Sequence, residues 1–166
     1  MKSTALLFIL LLESQRSFSQ SEIKIIRDDE PGIPFTYALK VLDANTNTPI
    51  PNAEVFTYQT NHIGDYESER PRDARINGTL ITDENGEGKI ITIFPRGYND
   101  SATGEHIHYM VKAEGYVNTS STLIFADYYR KRYDFDNPYT YKAYLKEMNE
   151  INGKRTGLVI LYMAKN

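Results

Sequence analysis

The 166-residue chain has no cysteine, no tryptophan and only three histidines. Without cysteine it can form no disulfide and carry no lipid anchor on a thiol. Its N-terminal apolar run, residues 5–12, is too short to span a bilayer. A basic excess is also missing: 19 Lys and Arg against 22 Asp and Glu leave a formal net charge of -3, which excludes the electrostatic footprint of a nucleic-acid binder. No internal repeat and no low-complexity linker divides the chain. Its length suits one domain, and 40% hydrophobic with 25% charged residues is globular composition rather than that of a disordered chain.

The first residues read as a targeting segment. Met1-Lys2 is a short basic start, the apolar run follows, and Ser17-Phe18-Ser19 offers the small residues that a signal peptidase reads. The expectation is a secretory signal over 1–19, a single domain over 20–166, and a secreted or periplasmic protein. Export without cysteines fits a bacterial route better than a eukaryotic one. Three Asn-x-Ser/Thr sequons begin at Asn77, Asn99 and Asn118, and they matter only in a glycosylating cell.

What is present is a series of short strand-like segments. A polar leader over 20–34 precedes alternating residues at 35–42. A turn-rich stretch over 43–52 leads to a strand over 53–60. Segments 79–82 and 89–94 flank Asp83-Glu84-Asn85-Gly86, a hairpin signal because Asn-Gly adopts positive φ cheaply. Further strands are expected over 106–113, 119–125 and 157–162. Seven strands with closely spaced turns predict an all-β sandwich or barrel. Between the last two, Asn137-Pro138 could cap a short helix near 138–151, with Leu145 and Met148 as a narrow apolar side, the alternative being an ordered loop.

Residues 93–110 hold the chemistry. His106 and His108 are two apart, so on a strand both imidazoles project from one face. Tyr98 lies eight residues upstream across a loop that can return it toward them. Singly, each has a plain reading: a tyrosine among thirteen is ordinarily a rim residue, a histidine pair can be surface, and His62 suits a solvated turn. Together they could form one side of a metal site.

The wider order resembles the intradiol ring-cleavage dioxygenases, the family of protocatechuate and catechol dioxygenases. The resemblance covers roughly residues 35–127. It rests on Pro49-x-x-x-Ala53-x-Val55 leading to Gly64-Asp65-Tyr66, and on Thr82-Asp83-x-x-Gly86. It continues through Thr92-Ile93-Phe94-Pro95-Arg96-Gly97-Tyr98 and Glu105-His106-Ile107-His108, with Gly115-Tyr116 and Leu123-Ile124-Phe125 beyond. It implies a transthyretin-like, intradiol-dioxygenase-type β-sandwich. It also implies a mononuclear Fe(III) held by Tyr66, Tyr98, His106 and His108, with a catecholic small molecule and O2 as substrates. In the family, the tyrosine in the Tyr98 position leaves the metal when the catechol chelates and helps take up its protons, which makes Tyr98 the expected catalytic residue. Two phenolates would neutralise much of the ferric charge, and they tilt the choice of metal toward iron.

The chain departs from the family at three places. Thr103-Gly104-Glu105 stands where an arginine usually precedes His-x-His, Thr122 where a glutamine is common, and Tyr58 where a tryptophan is common. Arg70, Arg72, Arg75 and Arg96 are the loop cations available to compensate. Only a short polar leader precedes the first strand, so the helical N-terminal region of the larger catechol dioxygenases is not expected. A second reading is a non-catalytic transthyretin-like surface module that binds carbohydrate or protein, with a vestigial metal site.

Overall fold

The computed structural model describes residues 21–98, 104–126 and 143–166. Among these, alternation of side chains builds two sheets. In β2 (Pro34–Asp43), Phe35, Tyr37, Leu39 and Val41 are all fully buried while the residues between them face outward. The first sheet has the order β1 (Glu22–Lys24), β5 (Glu87–Ile93), β2, β9 (Lys154–Met163), β8 (Ala143–Ile151). The second has the order β4 (Ile76–Ile81), β3 (Glu54–Gln59), β6 (His106–Lys112), β7 (Thr119–Ile124). A single core takes Phe35, Tyr37 and Val159 from one sheet and Val55, Ile107, Tyr109 and Leu123 from the other. Across that core the Tyr109 hydroxyl donates to the Tyr37 hydroxyl at 3.1 Å. The expected β-sandwich is therefore present, and no described helix is long and apolar enough to cross a membrane.

Three local expectations are corrected. The helix near 138–151 is absent where it can be judged, because residues 143–151 form β8, paired antiparallel with β9; 138–142 lie outside the described residues. A β-bulge between Leu145 and Glu147 explains the misreading. One extra residue in a strand makes positions i and i+3 share a face. Leu145 and Met148 thus both pack on the core side, a spacing that mimics one face of a helix.

The second correction concerns Asp83–Glu87. Its turn forms as expected, with Gly86 at φ 69° and the Asp83 carboxylate accepting from the amides of Asn85 and Glu87 at 2.9 Å. The flanking strands do not pair with each other, however, for β4 joins β3 in one sheet and β5 joins β2 in the other. The turn is a corner between sheets. Gly86 packs so closely on β2 that a Cβ there would lie 2.9 Å from the Val41 carbonyl oxygen.

The third is the polar leader, which contains β1. Ile23 and Ile25 are buried against the space above Gly78, and β1 runs parallel to β5.

Candidate metal centre

The site lies on the outer face of the second sheet. In β6, Ile107, Tyr109 and Val111 turn into the core, which sends His106, His108 and Met110 to the opposite face. Register then sets the neighbours of His108. Tyr58 of β3 and Thr122 of β7 lie directly across from it on either side. The Tyr58 ring stacks on the imidazole, with centroids 4.6 Å apart and planes 17° from parallel. The Thr122 hydroxyl lies 3.0 Å from His108 Nδ1.

Two loops bring the tyrosines to this face. After β3, the Asn61 side chain accepts from the amides of Ile63 and Asp65 at 3.0 Å, folding a tight reversal that delivers Tyr66. Gly64 in that reversal has φ 88° and lies against the second loop, where a Cβ would sit 2.5 Å from the Gly97 carbonyl oxygen. Gly97 in turn lies on Gly104, with its would-be Cβ 2.6 Å from the Gly104 carbonyl carbon. Each of these glycines stands one or two residues before a candidate ligand: Gly64 before Tyr66, Gly97 before Tyr98, Gly104 before His106. Backbone-on-backbone contact, possible only because Gly64 and Gly97 lack side chains, holds the three segments together, whereas a Cβ at Gly104 would meet nothing within 4 Å and its φ of 72° is what favours glycine there.

The four side chains converge. The Tyr66 hydroxyl is 2.5 Å from that of Tyr98, 3.0 Å from His108 Nε2 and 3.5 Å from His106 Nε2. His106 Nε2 is 3.2 Å from the Tyr98 hydroxyl. On its far side, His106 Nδ1 is 2.8 Å from the Gly104 carbonyl oxygen, an acceptor, so Nδ1 carries the hydrogen and Nε2 presents its lone pair inward. Burial, reinforced by the hydrogen bond with Tyr98, raises the Tyr66 hydroxyl well above the ordinary tyrosine pKa. Burial, and then the adjacent His106, pushes His108 down to about 4, so its ring is neutral at pH 7.

This donor set suits a metal ion. Bonds of about 2.0–2.1 Å at right-angled to tetrahedral geometry place neighbouring donors about 2.9–3.4 Å apart, close to the spacings found. Among the described residues, no three His, Cys, Asp or Glu side chains gather for such a purpose. The other protein donors within reach of the two imidazoles are the phenol oxygens of Tyr66 and Tyr98.

The loop arginines divide. Arg75 is committed to Glu30, with Nη1 and Nη2 at 2.8 and 2.6 Å from the two carboxylate oxygens, and to Glu67. Arg70 is paired with Asp73. Arg72 lines a 140 Å³ cavity with Tyr58, His108 and Thr122. Arg96 lines a 620 Å³ cavity with Phe94, Tyr98 and Glu105. His62 is exposed at the rim of that larger cavity, as its turn position suggested. Sequence reading singled out the four donors but gave no role to the three glycines or to the contacts that Tyr58 and Thr122 make with His108. The signal for the glycines was available, since one stands one or two residues ahead of each of Tyr66, Tyr98 and His106.

The family described as Dioxygenase (Dioxygenase_C) matches residues 11–128. Catechol 1,2-dioxygenase of Acinetobacter baylyi is 29% identical over 121 residues, which is 61% of this chain and 36% of that protein. The chain thus spans about a third of the length of that curated relative. Among solved structures, 3-chlorocatechol 1,2-dioxygenase from Rhodococcus opacus 1CP superposes with a TM-score of 0.66 at 21% identity, covering 86% of this chain and 64% of that one. The intradiol ring-cleavage dioxygenase from Tetranychus urticae gives 0.63 at 25% identity, covering 85% of each.

Proposed function

As a member of the intradiol ring-cleavage dioxygenase family, this chain is, we propose, an exported non-heme Fe(III) enzyme that opens the ring of catecholic aromatics with O2. On this reading, residues 1–19 are the export signal and 20–166 the catalytic domain. Tyr66, Tyr98, His106 and His108 hold the iron. The observation that carries it is the meeting of these four side chains from three separate segments within 2.5–3.5 Å. When bound, the ferric ion supplies Lewis acidity toward the two catechol oxygens and activates the ring for attack by O2.

The chain's own residues divide the remaining work. His106 and His108 act as neutral donors through Nε2. Tyr66 is wedged between Tyr98 and His108 and serves as the fixed phenolate. Tyr98 is the catalytic residue: it borders the 620 Å³ cavity beside Phe94 and Pro95, a volume within the range of ligand pockets. It therefore has room to turn its hydroxyl toward an entering catechol and take a proton at Oη. Phe94 and Pro95 offer apolar wall to the ring, and Arg96 and Glu105 set the polarity at the cavity mouth.

Purified protein should carry about one iron per chain and a visible phenolate-to-iron band, and it should consume O2 with catechol, protocatechuate or hydroxyquinol. The band should vanish in a Tyr66→Phe, His108→Ala double mutant. Colourless protein that takes up no iron on reconstitution would sink the reading. Iron uptake with no O2 consumption on any of the three catechols would favour the surface binding module instead.

A further inference from the structure

His106 and His108 are oriented by different kinds of partner. The outer nitrogen of His106 meets a backbone carbonyl, that of Gly104 at 2.8 Å, so its orientation is built into the main chain. The outer nitrogen of His108 meets a side chain, the Thr122 hydroxyl at 3.0 Å. Among the described residues, this is the only side chain that contacts an Nδ1 of either ring. Its placement follows from the sheet. Tyr58, His108 and Thr122 form one row across β3, β6 and β7, and all three project from the outer face. Tyr58 covers one face of the imidazole and fixes its plane. Stacking is indifferent to a half-turn of the ring about the Cβ–Cγ bond, which keeps the plane but exchanges Nδ1 with Cδ2, and a hydrogen bond at Nδ1 selects one of the two orientations.

We propose that Thr122 is the positioning residue for His108: its hydroxyl oxygen accepts the Nδ1 hydrogen, fixing the tautomer whose Nε2 lone pair faces the Tyr66 hydroxyl. This deepens the ferric reading above and rests on it. Threonine suits the task because a β-branched side chain on a strand has few χ1 options, which keeps the oxygen in place. A hydroxyl is also a neutral acceptor. It aims the ring without the added basicity that a carboxylate partner gives a metal-bound histidine, and that leaves the charge compensation of the iron to the two phenolates.

The test compares Thr122→Val, which matches threonine in shape but lacks the acceptor, with Thr122→Ser, which keeps it. Both are made in the full chain. Ferric affinity is measured by competition with a chelator, the visible band is recorded on the iron-loaded protein, and the melting temperature is taken on the iron-free protein. Loss of an outer hydrogen bond of this kind weakens metal binding by about 10- to 100-fold. We expect Val to lose that much and to shift the band, Ser to stay within about threefold of wild type, and the iron-free melting temperatures of all three to agree within a few degrees. Wild-type affinity and an unshifted band in the Val variant would overturn the role of Thr122 while leaving the iron site standing. Equal losses in Val and Ser would overturn it too, since the acceptor would then be irrelevant. Failure of wild type itself to bind iron would bring down the ferric reading, and this inference with it.

Discussion

Replacing Gly97 by alanine tests whether close backbone contact assembles the site. The added Cβ would lie 2.6 Å from the carbonyl carbon of Gly104, 2.7 Å from its oxygen and 2.8 Å from its Cα. Ordinary contact begins near 3.4 Å, so the two loops must part by about 0.8 Å, and every obstructing atom is backbone rather than a yielding side-chain tip. Overpacking of this sort costs about 1–3 kcal/mol in stability. The larger consequence is local. Gly97 precedes Tyr98, and the Gly104 carbonyl holds His106, so a shift between them opens the 3.2 Å contact of Tyr98 with His106. Metal–ligand distances tolerate only about 0.2 Å. A displacement several times larger should lower ferric affinity by at least about tenfold. Gly115→Ala is the control. Its Cβ would meet nothing within 4 Å, but φ is 80°, so it should cost about 1–2 kcal/mol in the iron-free protein and leave iron binding alone. Chelator competition alongside melting of the iron-free proteins separates the two effects. Wild-type iron affinity in Gly97→Ala, or an equal loss in Gly115→Ala, would refute the reasoning.

Other consequences follow from the same structure. The hydrogen bond from Arg75 holds the Glu30 carboxyl below its ordinary pKa. A lowered folded-state pKa adds stability that is present above the unfolded value, near 4.5, and is lost as pH falls through the folded one. Glu30→Gln should therefore flatten the fall in melting temperature below about pH 4.5 and cost about 1–3 kcal/mol at pH 7; an unchanged acid limb would contradict this. The Arg75 guanidinium also pairs with the carboxylate of Glu67, the residue after Tyr66. Arg75→Ala should consequently loosen the Tyr66 loop, seen as faster amide exchange over 62–75 than in wild type. Phe35 is fully buried against Tyr37, Phe94 and Phe125, and Phe35→Ala should lower unfolding free energy by about 3–5 kcal/mol in urea titration. Tyr58→Phe should keep the stack on His108 and the iron band, whereas Tyr58→Ala should broaden or shift that band.

The amino-acid sequence by itself determined the β class, most of the strands, and which four side chains were expected to meet, as Tyr66, Tyr98, His106 and His108 do. Those features depend on local rules: period-two burial in β2 and β6, turn residues between strands, and the two-residue spacing of His106 and His108, which any strand turns into a shared face. The tertiary structure decided what depends on pairing partners. Asp83–Glu87 carries the local chemistry of a hairpin, yet the chain crosses between sheets there, and β5 pairs with β1 and β2 while β4 pairs with β3. Leu145 and Met148 carry helical spacing, yet a bulge and the unpaired edge of β9 make them strand neighbours. The site divides in the same way. Its four side chains were legible, but the meeting of Tyr66, Tyr98 and His106 depends on three glycine backbones touching across loops up to 40 residues apart in sequence. The aim of His108 depends on Tyr58 and Thr122 falling in one row of a sheet. Contacts of that kind leave no local periodicity in the chain, and only the folded registers create them.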